Sequence, residues 1–144
     1  GHLHGSLAMG PEGAMYFSDS RTIRRVSRDG LVTTLDGRRT DLFSPLLPRE
    51  TAWERIMGLA ADTAGNLYFA LRDDRTIRKV SPDGRTATIA RVGGSWTPTG
   101  LTFGNGALYV VAEPRLPPMR GLLGSPRLLR ISGSGRIEVL ATAR

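Results

Sequence analysis

Self-similarity constrains this chain more than any single motif. Three stretches align along its 144 residues: LAMGPEGAMYFSDSRTIRRVSRDGLVTTL from Leu7, LAADTAGNLYFALRDDRTIRKVSPDGRTATI from Leu59, and LTFGNGALYVVAE with RLLRISGSGRIEVL from Leu101. Their starts lie 52 and 42 residues apart. A unit of roughly 40–50 residues cannot bury its apolar surface alone, so it stacks on copies of itself. The spacing predicts units over residues 6–36, 58–91 and 99–142, with insertions at 36–57 and 113–126.

Each copy reads as four short strands. Strand a is a brief apolar stretch at residues 7–9, 59–61 and 101–103. A turn carrying glycine follows (PEG, TAG, GNG), because glycine adopts positive φ without steric cost. Strand b is AMYFSD, NLYFAL or ALYVVA, rich in aromatic and β-branched residues that fit a pleated surface. Strand c is TIRRVS, TIRKVS or LLRIS, closed by RDG, PDG or GSG, and strand d is LVTTL, TATIA or IEVLA. Large apolar groups at consecutive strand-b positions load both faces of each sheet, as a sheet sandwiched between neighbours requires. The predicted fold class is therefore all-β, a β-propeller segment of three four-stranded antiparallel blades.

The string N-L-Y-F with D-R-T-I-R-K-V-S-P-D-G, at residues 66–69 and 74–84, resembles the NHL repeat. Copy one matches through residues 14–19 and 22–30, and copy three at 107–111 and 129–135. The resemblance implies blades of a six-bladed ring used for protein binding, for RNA binding or, in related lactonases and lyases, for metal-dependent catalysis. Three blades are half of such a ring, and an open ring exposes an apolar flank at each end. The expectation is that further blades come from the same longer chain or from a homodimer mate.

Strand order fixes where a site can sit. The a–b and c–d turns share one end of the blades, and the b–c and d–a loops share the other. All a–b and c–d turns are short glycine hairpins, so both insertions, and the short d–a loop at 91–100, fall at the opposite end. These loops carry Trp53, Trp96, Phe43, Arg39, Arg49, Arg55, Arg115 and Arg120, residue types favoured at interface hot spots, alongside Arg38 and Met119. The simpler alternative is that each tryptophan only tucks its loop onto the ring. Residues 48–57, with Pro48 at the start and Gly58 after the end, predict a short helix that turns Trp53, Ile56 and Met57 to one side.

Signals for chemistry are sparse. His2 and His4 stand one residue apart, on one side of a strand as a metal pair uses, but no third ligand follows and an end-of-chain segment is the preferred account. Asp19, Asp73, Asp74 and Glu113 lie near the strand-b ends, where carboxylates hold calcium or serve as a base; their recurrence favours turn hydrogen bonding. Arg24, Arg78 and Arg130 recur within strand c as repeat framework. There is no cysteine, which excludes thiolate metal sites and disulfides, and no P-loop, nucleophile elbow or H-E-x-x-H. The net charge of +7 comes from 20 basic against 13 acidic residues, and only Lys79 among the basic ones is lysine. The arginines are scattered, which fits a solvated surface better than an RNA site; RNA binding would show affinity falling steeply with salt. No apolar run reaches the roughly 18–20 residues that span a membrane. The chain is expected to be a non-catalytic module without a cofactor, presenting one loop end to a protein or peptide. A metal-dependent hydrolase or lyase is the alternative.

Overall fold

The computed structural model describes residues 6–19, 22–35, 56–72, 75–94, 96–114 and 126–142. Each repeat forms one antiparallel sheet whose strands follow in chain order. The first holds β1 (Ser6–Met9), β2 (Met15–Asp19), β3 (Thr22–Val26) and β4 (Val32–Leu35). The second holds β5 (Ile56–Ala61), β6 (Leu67–Leu71), β7 (Thr76–Val80) and β8 (Thr86–Arg91). The third holds β9 (Trp96–Gly104), β10 (Ala107–Pro114), β11 (Arg127–Ile131) and β12 (Ile137–Thr142). A single 3-10 turn at Pro11–Gly13 is the one helical element among the described residues. No helix among them is long and apolar enough to cross a membrane.

The hairpins repeat as closely as the strands. In the three c–d turns the amides of Gly30, Gly84 and Gly135 donate to the carbonyls of Ser27, Ser81 and Ser132 at 2.9, 2.8 and 2.9 Å. All three glycines sit at φ between +85 and +92°, the left-handed position that closes such a hairpin.

The sheets stack through their faces, with β1 beside β5 and β5 beside β9. Gly58 in β5 permits the close approach of these first strands, since a Cβ there would stand 3.3 Å from the Gly100 Cα. Between sheets one and two lies a cluster built on Tyr16, Ile23, Ile56, Leu59, Leu67 and Phe69. Between sheets two and three lies a second, built on Ala70, Ile77, Leu108, Val110, Leu129 and Ile131. Burying each large apolar side chain contributes roughly 1.5–3 kcal/mol, so these two junctions hold the sheets together. Tyr68 reinforces the second by stacking on Phe103, with ring centroids 5.7 Å apart and planes 6° from parallel.

The helix expected over 48–57 is corrected at its C-terminal end. Ile56 and Met57 lie in β5, where Ile56 pairs with Leu71 and lengthens the ladder. Ile56 enters the first cluster and Met57 packs on the second, so they face opposite ways rather than together. Two apolar interfaces, one on each side of the sheet, override the local helix signals. Residues 48–55, Trp53 included, lie outside the described residues.

The a–b turn of the middle sheet is tied by one carboxylate. Asp62 accepts from the amides of Ala64 (3.0 Å) and Asn66 (2.9 Å), the Asn66 side chain (2.9 Å) and the Tyr68 hydroxyl (3.0 Å). Burial opposes ionisation of Asp62, but the hydrogen bonds from Asn66, Tyr68 and Ala64 together outweigh it and hold the carboxyl below its ordinary value. Burial, and then the hydrogen bond to Asp62, push the Tyr68 phenol up to about 12. A depressed folded-state value means that the stabilisation is complete above the ordinary carboxylate value and is lost as pH falls through the lower one. Asp62→Asn is therefore expected to weaken the fold at neutral pH and to flatten its stability-against-pH curve at the acid end. Urea melts of both proteins from pH 7 down to pH 2 check this; parallel acid losses would refute it.

Candidate binding site at the loop end

Four strand ends meet where β8 hands over to the third sheet: the end of β8, the start of β9, the end of β10 and the start of β11. Trp96 opens β9 opposite Pro114. Arg127 opens β11, opposite Ala112 on one side and Thr142 on the other. The Arg127 guanidinium lies over the Trp96 ring, 4.0 Å from its centroid, a cation–π contact. Its Nε is shielded from solvent and has no hydrogen-bond partner among the described residues. A shielded donor left unmatched costs about 1–3 kcal/mol, which an incoming acceptor would relieve.

Beside the pair lies a cleft of about 330 Å³. Val92, Gly93 and Gly94 from the β8–β9 connection line it together with Ala112, Leu129, Ile137 and Val139 of the third sheet. The connection from β8 to β9 is fixed from behind. Arg75, at φ +57°, donates from its side chain to the Gly94 carbonyl, and its own carbonyl accepts from the Val92 amide at 2.9 Å. The site is thus an apolar trough with a flat aromatic and one cation at its rim. A second cleft, of about 430 Å³, lies at the hairpin end between sheets one and two, among Pro11, Glu12, Arg25, Thr63 and Pro82.

Trp96 is therefore not a loop residue, as the sequence suggested, but the first residue of a nine-residue strand. The strand extends past residues 101–103 because β10 runs on to Pro114, and a register shift between Val111 and Ala112 absorbs the mismatch. Pro98 is tolerated there because β9 is an edge strand of its sheet. Trp53, Phe43, Arg38, Arg39, Arg49, Arg55, Arg115, Met119, Arg120, His2, His4, Asp73 and Asp74 lie outside the described residues. Asp19 ends β2, and Glu113 is exposed in β10. No group of three or more His, Cys, Asp or Glu is placed to hold a metal among the described residues. Arg130 is corrected as a match of Arg24 and Arg78: it stands across from Tyr109 as Arg25 and Lys79 stand across from Tyr16 and Tyr68, and Leu129 holds the Arg24/Arg78 position. Arg127 was not singled out from sequence, although a signal existed. The matching strand-c position carries Thr22 and Thr76 in the other copies, and only the third carries arginine.

No protein-family model matches the chain. No curated protein matches it either. Solved structures do. A chain of a nidogen/laminin complex is 18% identical, with a TM-score of 0.66, over 95% of this chain and 47% of that one. A gluconolactonase from Xanthomonas campestris is 17% identical, with a TM-score of 0.64, over 98% and 48%. A streptogramin B lyase is 16% identical, with a TM-score of 0.54, over 96% and 54%. With three stacked four-stranded sheets, the fold is a run of β-propeller blades. The chain spans about half the length of the propellers it resembles. In propeller terms each sheet is a blade, and the Trp96–Arg127 pair stands at the end of the blades that carries the b–c and d–a connections, while the cleft beside it reaches Ile137 next to the c–d hairpin.

Proposed function

We propose that the chain is a non-catalytic, NHL-type propeller module that binds a protein or peptide at the loop end of its blades, with Trp96 and Arg127 as the anchor. The observation that carries this is the cation–π pair beside an apolar trough, with a guanidinium Nε that has no hydrogen-bond partner among the described residues. Arginine and tryptophan supply large contact areas and directional bonding, the features of interface hot spots. A carboxylate on the partner would accept from Arg127, and a neighbouring apolar side chain would enter the trough between Val92 and Ile137. Trp53, Phe43, Arg39, Arg49, Arg55, Arg115 and Arg120 belong to segments that leave and re-enter the blades at this same end, which supports a wider contact surface. The likeness to a propeller seen in a nidogen/laminin complex agrees with a protein-binding role.

A displayed library of random peptides, selected on the immobilised protein, tests the proposal. Enriched peptides are expected to pair an acidic with an apolar residue. Trp96→Ala or Arg127→Met should each weaken them at least about tenfold, or 1.4 kcal/mol. Arg85→Ala, an exposed change in the hairpin at the other end of the blades, should leave affinity unchanged. Equal binding to the Trp96→Ala and Arg127→Met variants, with melting temperatures preserved, overturns the assignment.

A second reading, a metal-dependent hydrolase or lyase of lactonase type, draws on the likeness to the gluconolactonase and the lyase. Stoichiometric calcium or zinc in the purified protein, together with lactone hydrolysis, would favour it over binding.

A further inference from the structure

We infer that the cleft between blades one and two, at the hairpin end, binds a small organic carboxylate with an apolar body, held by Arg25 and Tyr16. The site stands apart from the Trp96–Arg127 pair and does not depend on the reading given to that pair.

The repeat supplies the control, because the junction between blades two and three shows the same region closed. Phe103, which stacks on Tyr68, is matched in blade two by Ala61, across from Leu67 as Phe103 stands across from Leu108. Blade one also lacks a residue that blade two has. The register shift between Ile77 and Arg78 leaves Ile89 as an extra residue in β8, and Ile89 packs on the second cluster. β4 pairs with β3 without a shift, so it holds no counterpart of Ile89. The c–d hairpins differ in the same sense. A Cβ on Gly135 would stand 2.8 Å from the Ile89 carbonyl oxygen, whereas a Cβ on the equivalent Gly84 would meet nothing within 4 Å. The first junction thereby keeps a cleft of about 430 Å³, a size that encloses small ligands.

The lining sorts by chemistry. Pro11, Leu35, Leu67, Val80 and Pro82 supply apolar surface. The donors come from blade one. Tyr16 stands across from Arg25 on the forward face of that blade, the face turned toward the next one. Arg25 is half-buried in the wall of the cleft and makes no hydrogen bond or ion pair among the described residues; Asp29 feels its charge only through space. In blade two the Tyr68 hydroxyl donates to Asp62 at 3.0 Å, but Gly10 holds the Asp62 position in blade one. A Cβ on Gly10 would come within 2.5 Å of the Tyr16 ring, so no side-chain acceptor fits there. The Tyr16 hydroxyl is thus left without a partner among the described residues. An unclaimed guanidinium and an unclaimed phenol beside apolar walls match a carboxylate carried on an apolar body. Glu12, exposed in the adjoining turn, is the one carboxylate of the lining, and it repels such a ligand.

Calorimetric titration of the 144-residue chain with phenylacetate tests the inference. One site per chain is expected, with a dissociation constant of about 1 mM or tighter. The neutral phenylacetamide should bind at least about tenfold more weakly, a comparison that needs no variant. Arg25→Met should weaken the acid at least about tenfold and Tyr16→Phe about threefold, with melting temperatures preserved. Arg24→Met removes the same charge from the opposite face of β3, across from Phe17, and should leave affinity unchanged. Glu12→Gln should tighten binding, with a gain that shrinks as salt rises. No saturable binding of phenylacetate overturns the inference. So do equal losses in Arg24→Met and Arg25→Met, an amide that binds as well as the acid, or inorganic phosphate that binds as tightly.

Discussion

Phe69→Ala is expected to cost about 3–5 kcal/mol, enough to leave much of the chain unfolded at room temperature. The Phe69 ring is fully buried at the centre of the blade one–blade two junction, among Ile23, Ile56 and Leu59. Truncation removes its transfer energy and leaves a cavity that two β-sheets, tied by their ladders, cannot collapse to fill. Phe17 occupies the same repeat position in blade one, on the face that no described blade covers. Phe17→Ala is expected to cost less than half as much. Urea unfolding of the two alanine variants makes the comparison. Equal costs would mean that the flank of blade one is not open.

The second large effect belongs to a turn. Gly30, Gly84 and Gly135 close equivalent hairpins with nearly the same φ, so alanine at any of them pays the left-handed backbone cost of about 1–2 kcal/mol. Gly30 and Gly84 face open space, but a Cβ on Gly135 would stand 2.8 Å from the Ile89 carbonyl oxygen of β8. That oxygen is β8 backbone, at the residue that the register shift between β7 and β8 leaves without a cross-strand partner, and it yields less readily than a side chain. Gly135→Ala must therefore push blades two and three apart, bringing its total to about 2–5 kcal/mol once overpacking is included. Gly30→Ala and Gly84→Ala are expected to stay near the backbone cost. Urea melts of all three variants decide it, and identical losses would contradict the packing of blade three on blade two.

The fold was legible because the repeat carries it. Leu59, Phe69 and Val80 have counterparts at Leu7, Phe17 and Val26, and alignment alone assigns them the same strand and the same face. Apolar residues at successive positions of strand b declared both faces buried, and the two clusters on either side of the middle blade are what that pattern builds. Boundaries were less legible, because they depend on pairing rather than on local preference. Ile56 and Met57 follow a helix-like start signal but become strand once Ile56 finds Leu71. Trp96 reads as loop because Pro98 and Gly100 interrupt the apolar pattern, yet the long β10 holds the whole stretch extended. The site was half visible. The loop end and Trp96 followed from strand order, but Arg127 is seen as a partner of Trp96 only when β11 is laid beside β10. Its departure from the threonine of the other copies was the clue available in the sequence.

Among the described residues blade two is covered on both faces while the forward face of blade three is uncovered, and single cysteines test this directly because the chain has none of its own. Ser18, Ala70 and Val111 are equivalent positions on the three forward faces, 4%, 0% and 39% exposed. Cysteine is a small change at each. Thiol labelling is expected to modify Ser18→Cys and Ala70→Cys only as fast as the chain unfolds. Val111→Cys should label in the folded protein at close to the rate of a free thiol. Three sites that label alike, whether all protected or all open, would contradict the stacking order on which the account stands.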